Sequence, residues 1–231
     1  MFTKGKFHPL RVTAAAALLA ACAASPAVAQ DQAAIAEQNQ ATMTYLRARH
    51  QTANVFDAAA GPGVRLGAAW LVRTRNEIRG RYMAYVPTAG DPYTLWMVVF
   101  NSPSECATSP CSSADIANPA VRASVFNASG AISADNGVGG GVIDIDFERL
   151  AGRLPSGLFL LAGDTRGLRR GRGFGAEVHL VVDQHPSITP GADSWIADLT
   201  TTHFPGQGPN TTASVAIFLP CPTSICPASV L

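Results

Sequence analysis

The chain has 231 residues, of which 47% are hydrophobic and 14% are charged, and its formal net charge is +1. This composition excludes a disordered chain, and the near-neutral charge gives no bias toward nucleic acid or a membrane surface. Both lysines, Lys4 and Lys6, lie near the start, so the rest of the chain offers no P-loop lysine, Schiff base or Ser-Lys dyad.

Residues 1–29 have the pattern of a secretory signal peptide. Basic residues precede an apolar run from Val12 to Ala21, which is too short to span a bilayer. Ala27-Val28-Ala29 is an A-x-A cleavage site, so we expect the mature chain to begin at Gln30. Leu19-Ala20-Ala21-Cys22 is similar to a bacterial lipobox, and the alternative is a lipid anchor on Cys22. We favour the soluble product, because the A-x-A site explains the Ala, Pro and Ser residues after the apolar run.

The rest of the chain divides where its composition changes. From Asp31 to Ala60 it is rich in Ala and Gln and has no Gly or Pro, which predicts a helical or irregular N-terminal segment over residues 30–62. After Gly61-Pro62-Gly63, short β-type runs recur between turn signals. Residues 63–231 are therefore predicted to form an all-β domain, an antiparallel β-sandwich of about eight strands.

Two runs define the strand pattern most clearly. From Asn76 to Val86, apolar and polar residues alternate with the period of a half-buried strand. Tyr93 to Phe100 is apolar almost throughout, which predicts a central strand covered on both faces. The other predicted strands are Leu66 to Arg73, Arg122 to Ser129, Val142 to Leu150, Gly157 to Leu161, Ala176 to Asp183 and Ser214 to Leu219.

Four cysteines form two pairs of equal spacing, Cys106 with Cys111 and Cys221 with Cys226. An even number of cysteines in an exported chain predicts disulfides, with three possible connectivities, of which pairing within each short loop is the simplest. The spacing also fits a zinc site, but export to an oxidising compartment and the neighbouring prolines favour the disulfides.

The predicted strand from Ala176 to Asp183 carries a candidate metal site. Alternation places Glu177 and His179 on its outward face, His185 follows, and His203 is a candidate third ligand. The alternative is an exposed polar face with one histidine, and we favour it because two ligands from one strand do not make a site.

A second candidate is a calcium site. Asp144, Asp146 and Glu148 share one face of a predicted strand, and a Gly-rich approach from Asp135 to Gly141 offers carbonyl oxygens. The spacing does not match an EF-hand loop. We favour the alternative, in which these carboxylates pair with arginines on neighbouring strands.

A third candidate is a Gly-rich loop with four arginines, Arg166, Arg169, Arg170 and Arg172, which ends at Gly175. Arginine side chains in such a loop are able to clamp a phosphate, a sulfate or a uronate. A solvated connection between strands is the competing interpretation, and we favour it.

Two tracts carry a resemblance. Tyr93 to Asn101, followed by Pro103 and Cys106, and later Ala176 to Val181, resemble an uncharacterised group of exported bacterial proteins for which no activity is established. Strand order and a strand histidine are also similar to chordin-type repeat domains. Those domains have a closely spaced His pair before a Gly, whereas Leu180 follows His179, so no residue role is carried over.

We therefore expect an exported, non-enzymatic β-sandwich module that binds an extracellular or envelope ligand or has a structural role. It is periplasmic or secreted, with no transmembrane segment in the mature chain and no nucleic-acid partner. The sequence has no G-x-S-x-G elbow and no H-E-x-x-H motif. No cofactor is predicted. The alternative is a metal-binding protein or metal-dependent enzyme that uses Glu177, His179 and His203, with zinc or copper, or calcium at the acidic strand.

Overall fold

The computed structural model describes residues 37–38, 48–152, 154, 160–185, 211–223 and 225–227. The chain divides into two compact units, Met1–Thr42 and Met43–Leu231. Glu37 and Gln38 are the described residues of the first unit, and they are helical. The predicted signal peptide, Cys22 and His203 lie outside the described residues. No described helix is long and apolar enough to cross a membrane.

The second unit is all-β, as predicted, and its described residues contain ten strands where the sequence predicts about eight. β1 and β6 are the strands that the sequence analysis does not predict. The strands are β1 Arg49–Asp57, β2 Gly61–Arg73, β3 Glu77–Val86, β4 Pro92–Phe100, β5 Ala123–Ile132, β6 Ala134–Asp135, β7 Gly141–Leu150, β8 Leu160–Gly163, β9 Glu177–Gln184 and β10 Thr211–Phe218.

The strands are hydrogen-bonded in the order β6-β7-β3-β2-β1-β10-β9-β4-β5-β8, with antiparallel neighbours. The ladder between β1 and β10 is short, because it pairs only Phe56 with Val215 and Asp57 with Ser214. We name this short ladder the seam. It divides the sheet into two halves, one of β6, β7, β3, β2 and β1 and the other of β10, β9, β4, β5 and β8. Both halves contribute side chains to one core, so the fold is the β-sandwich that the sequence predicts.

Side-chain alternation builds that core. Ile78, Tyr82 and Ala84 of β3 are buried, as the predicted alternation requires, and belong to the same core cluster as Leu95 and Met97 of β4. The buried Tyr82 hydroxyl donates to the Ser214 hydroxyl of β10 at 2.8 Å. Burial raises the pKa of Tyr82 far above its usual value, so the phenol stays neutral and keeps this hydrogen bond between the two halves.

Arg73 bridges the seam where the backbone ladder is missing. Its side chain is fully buried, and desolvation lowers its pKa to about 9, although the negative charge of Glu177 acts in the opposite direction. The guanidinium donates to five oxygen atoms, those of the Gln51 side chain and of the Gly173, Ala176, Phe218 and Leu219 carbonyls. One cation therefore ties β1 and β2 to the ends of β9 and β10.

The expectation of a helical or irregular segment over residues 30–62 is wrong for Arg49–Asp57, which is β1. Gln51, Ala53 and Val55 are buried, while Thr52 is exposed and Asn54 half-buried. This period of two is present in the sequence, but small and polar residues make it faint. β2 begins at Gly61, so the β-domain starts before residue 63.

The outer faces of the two halves differ. The outer face of β2, β3 and β7, which we name the open face, is solvent-exposed and carries Trp70, Arg81 and Tyr85. The outer face of β4, β5 and β9, which we name the covered face, lies under residues 101–122. Trp96 and Phe100 on this face pack with residues of that segment in a second buried cluster, so the prediction that β4 is covered on both faces is confirmed.

Both predicted disulfides are present, each within its own short loop. Cys106 is bonded to Cys111 with a Cα–Cα distance of 5.4 Å, and Cys221 is bonded to Cys226 with a Cα–Cα distance of 4.6 Å. Cys106–Cys111 closes the segment that covers β4, β5 and β9. The pair of disulfides is typical of a protein that folds in an oxidising, exported location.

Candidate functional site

The predicted arginine loop forms one side of a groove with a volume of about 480 Å³. Residues 166–172 come from the connection between β8 and β9, Ser102 follows β4, and Gly152 follows β7. We name this the arginine groove. Five arginines line it: Arg122, Arg166, Arg169, Arg170 and Arg172. Its volume lies within the range of small-molecule sites in proteins.

Asn101 holds these arginine-bearing segments together. It is fully buried at the end of β4, and its side-chain amide donates to the carbonyl oxygens of Arg122 and Gly167, both at 2.9 Å. Its side-chain oxygen accepts from the Arg169 backbone at 2.8 Å, and its carbonyl accepts from the Arg172 guanidinium at 2.5 Å. The groove is therefore organised by one amide before any ligand enters.

Asp164 is the acid that offsets part of the groove's charge. Its carboxylate forms an ion pair with Arg169 at 2.5 Å and accepts from the Arg166 backbone at 3.0 Å. No carboxylate among the described residues pairs with the guanidinium groups of Arg122, Arg166 or Arg170. Within the described part of the chain, the groove therefore has a net positive charge and three guanidinium groups available to a ligand.

The backbone on both sides of the groove adopts unusual conformations. Arg122 has a φ of +55°, and no other non-glycine residue in the described part of the chain has a positive φ. Backbone strain of this kind is found often in ligand clamps. Gly152 has a φ of +112°, and a Cβ there would lie 3.1 Å from the Arg170 side chain. A side chain at position 152 would therefore crowd Arg170.

Glu177 and His179 are on the same face of β9, as predicted, but the expectation that this face is exposed is wrong. Glu177 is 1% exposed and His179 is 9% exposed, because residues 101–122 cover them. The Glu177 carboxylate accepts from the Cys111 backbone and from His179 Nε2, both at 2.7 Å. The His179 ring also lies edge-on to Phe100, at 4.9 Å. The pair therefore anchors the covering segment to the sheet.

His185, the other predicted metal ligand within the described residues, does not join this pair. His185 Nε2 is 2.6 Å from the Thr94 hydroxyl, and the His185 backbone donates to Pro92. Six residues along an extended chain place His185 roughly 20 Å from His179. Within the residues that the structure describes, no group of three or more His, Cys, Asp or Glu side chains is arranged to hold a metal ion. His203 lies outside those residues.

The three carboxylates of the calcium hypothesis lie on the open face. Asp144, Asp146 and Glu148 are exposed on β7 and are directly opposite Met83, Arg81 and Arg79 of β3. Arg81 forms an ion pair with Asp144, which confirms the predicted pairing with arginine at this position. This hydrogen bond lowers the pKa of Asp144.

We compared the chain with known proteins. No family model, curated protein or solved structure matches it. The resemblance to exported bacterial proteins therefore stays a prediction. A fold alone does not determine an activity, so the arginine groove is the feature that bears on function.

The sequence predicts the cluster of loop arginines but not the residues that organise them. Asn101 is only the polar end of an apolar run, and Arg122 is only the first residue of a predicted strand. A polar residue that directly follows a fully buried strand is a usable signal, because it must find hydrogen-bond partners near the core. No sequence pattern shows that these partners are the arginine-bearing segments.

Proposed function

We propose that this protein is an exported binding module that takes an anionic ligand in the arginine groove. The observation that supports this most is the set of three guanidinium groups that have no carboxylate partner among the described residues, on segments that the buried Asn101 holds together. Guanidinium groups bind carboxylate, sulfate and phosphate oxygens through paired hydrogen bonds. Such an anion would also offset the repulsion between the arginines.

The proposed role is binding and not catalysis. Arginine stays protonated and offers neither a base nor a nucleophile. Asp164, the carboxylate that is hydrogen-bonded to the arginine loop, is already paired with Arg169. The leader and the two disulfides support a periplasmic or secreted protein, and lipidation of Cys22 is the alternative that would keep the groove at the envelope surface.

Titration of the full mature chain with sulfate, phosphate and glucuronate at low ionic strength tests this proposal. We expect Arg166→Ala and Arg170→Ala each to weaken anion binding by about tenfold, since each removes a charge-assisted hydrogen bond. Arg79→Ala is the matched control, because Arg79 is an exposed arginine on the open face. Its affinity should equal that of the wild type.

Isothermal titration calorimetry and amide chemical shifts provide the two readouts. The perturbed amides should be those of residues 101–102, 122 and 166–172. The proposal is overturned if none of the three anions binds, or if Arg79→Ala and Arg170→Ala weaken binding equally.

A further inference from the structure

A second groove, with a volume of about 670 Å³, adjoins the arginine groove. It lies between the short 3₁₀ helix Ser113–Ala117 and the strands β5 and β8. Its wall is mainly apolar and consists of small and aliphatic side chains, among them Ile116, Ala117, Pro119, Ala123 and Ala162. We name it the apolar groove.

The two grooves share residues. Arg122 and Arg169 line both of them, and Asp164, which holds Arg169 in place, lies at the same junction. A ligand whose anionic group contacts Arg122 therefore has a direct path into the apolar groove. The charge lies at one end of this path and the apolar surface at the other.

We propose that the ligand is a small organic anion with an apolar body, and this rests on the proposed function. Its carboxylate, sulfate or phosphate group contacts the arginines, and its alkyl or aryl part covers Ile116, Ala117 and Ala162. The combination matches the usual composition of small-molecule sites, which are apolar surfaces with a few charged groups that fix orientation.

The distribution of charge argues against a repeating polyanion such as a sulfated polysaccharide. Such a ligand needs positive charge along its whole path. Apart from the shared Arg122 and Arg169, the apolar groove is lined by uncharged residues and by Asp164. A second or third anionic group in this groove would meet a carboxylate and no additional cation.

A series of n-alkyl sulfates, from ethyl to octyl and below their micellar concentrations, tests the inference against inorganic sulfate. We expect affinity to increase by about two- to fourfold for each methylene until the groove is filled, as apolar surface is removed from water. Alkyltrimethylammonium ions of the same chain lengths are the control ligands, and they should not bind because the junction is cationic.

Two kinds of variant separate the contribution of the apolar groove to affinity from that of the arginines. Ile116→Ser should reduce the increase in affinity per methylene and leave the affinity for inorganic sulfate unchanged. Ala117 is exposed, and we expect the same two effects from Ala117→Gln, which replaces Ile116→Ser in the experiment if that variant does not fold. Arg170→Ala should weaken the whole series by one common factor. Tyr85→Ser, which changes an exposed apolar residue of the open face, is the matched control.

The outcomes distinguish this inference from the proposed function. A flat alkyl series with sulfate still bound overturns the amphipathic ligand and leaves the anion site intact. Equal binding of alkylammonium ions also overturns it, since the apolar groove would then act without the arginines. If neither sulfate nor any alkyl sulfate binds, the inference falls, and the proposed function falls with it when phosphate and glucuronate also fail to bind.

Discussion

The open face and the covered face have the same kind of strand pattern in the sequence but different environments in the structure. On β7 of the open face, Asp144, Asp146 and Glu148 alternate with buried residues and are exposed. On β9 of the covered face, Glu177 and His179 alternate with buried residues in the same way, yet they are buried. Alternation therefore assigns residues to a face of a sheet, but it does not show what lies on that face.

The difference comes from a segment that is distant in sequence from β9. Residues 101–122 fold over the outer surface of β4, β5 and β9, closed by the Cys106–Cys111 disulfide. Glu177 accepts a hydrogen bond from the backbone of Cys111, which fixes the segment to the strand beneath. A buried carboxylate with two donors is thus a structural anchor on one face, whereas carboxylates on the other face remain in water.

The largest expected difference between the faces concerns their aromatic residues. Phe100 on the covered face is 1% exposed, and we expect Phe100→Ala to lower the free energy of unfolding by about 3–5 kcal/mol, through lost burial and the cavity left behind. Tyr85 on the open face is 63% exposed, and Tyr85→Ala should change it by about 0.5 kcal/mol or less. Urea unfolding followed by circular dichroism measures both values.

Equal losses for Phe100→Ala and Tyr85→Ala would contradict the assignment of a covered and an open face. Phe100→Leu is a milder variant that keeps most of the apolar volume, and its loss should lie between those of the two alanine variants. It also provides a measurement if Phe100→Ala does not fold.

A smaller difference is expected for the glutamates. Glu177→Ala leaves the Cys111 N–H and the His179 ring N–H without their acceptor, so we expect a loss of about 2–3 kcal/mol in the free energy of unfolding. Glu148→Ala, the matched change on the open face, should have an effect of about 0.5 kcal/mol or less. Chemical denaturation of both variants at neutral pH is the measurement.

Hydrogen exchange adds a local readout to this pair of variants. In Glu177→Ala the amide of Cys111 should exchange faster than in the wild type, and in Glu148→Ala it should not change. Unchanged protection of Cys111 in Glu177→Ala would contradict the role of Glu177 as the anchor of residues 101–122.

The two faces also explain which parts of the molecule the sequence predicts well. The continuous apolar run of β4 predicts a central strand, and the alternation in β3 predicts which of its residues face the core. Both are local patterns that tertiary contacts do not alter. The strand β1 was missed because Ala53 and Thr52 give a weak contrast between its two faces, and its pairing with β2 is what makes it extended.

The candidate site was predictable only in part, for a physical reason. The loop arginines lie between residues 166 and 172, so their clustering is a local property. Arg122 and Asn101 reach the groove because β4 and β5 pair, and this long-range arrangement leaves no pattern in the chain. The apolar groove depends in the same way on the 3₁₀ helix Ser113–Ala117 lying beside β8.

The smallest expected difference is in how much two aspartates contribute to stability as the pH becomes acidic. In the segment 101–122, which lies over the covered face, Asp115 accepts hydrogen bonds from the Ala107 and Ser112 backbone and from the Ser112 hydroxyl, and these lower its pKa. On the open face, Arg81 lowers the pKa of Asp144. A pKa below the unfolded value means that each group stabilises the fold above roughly pH 4, and that this contribution is lost as the pH falls through the folded pKa.

Salt separates the two contributions, because the donors of Asp115 are neutral whereas the partner of Asp144 is an exposed cation. Urea midpoints measured from about pH 6 to about pH 2, at low and at high salt, give the comparison. Asp115→Asn should reduce the fall of the urea midpoint between about pH 6 and about pH 2, which we name the acid limb, at both salt concentrations. Asp144→Asn should remove a smaller part of it, and only at low salt, because screening already weakens the Arg81 pair at high salt. An acid limb that is unchanged in Asp115→Asn, or that high salt abolishes entirely, would show that exposed ion pairs and not the covering segment determine acid stability.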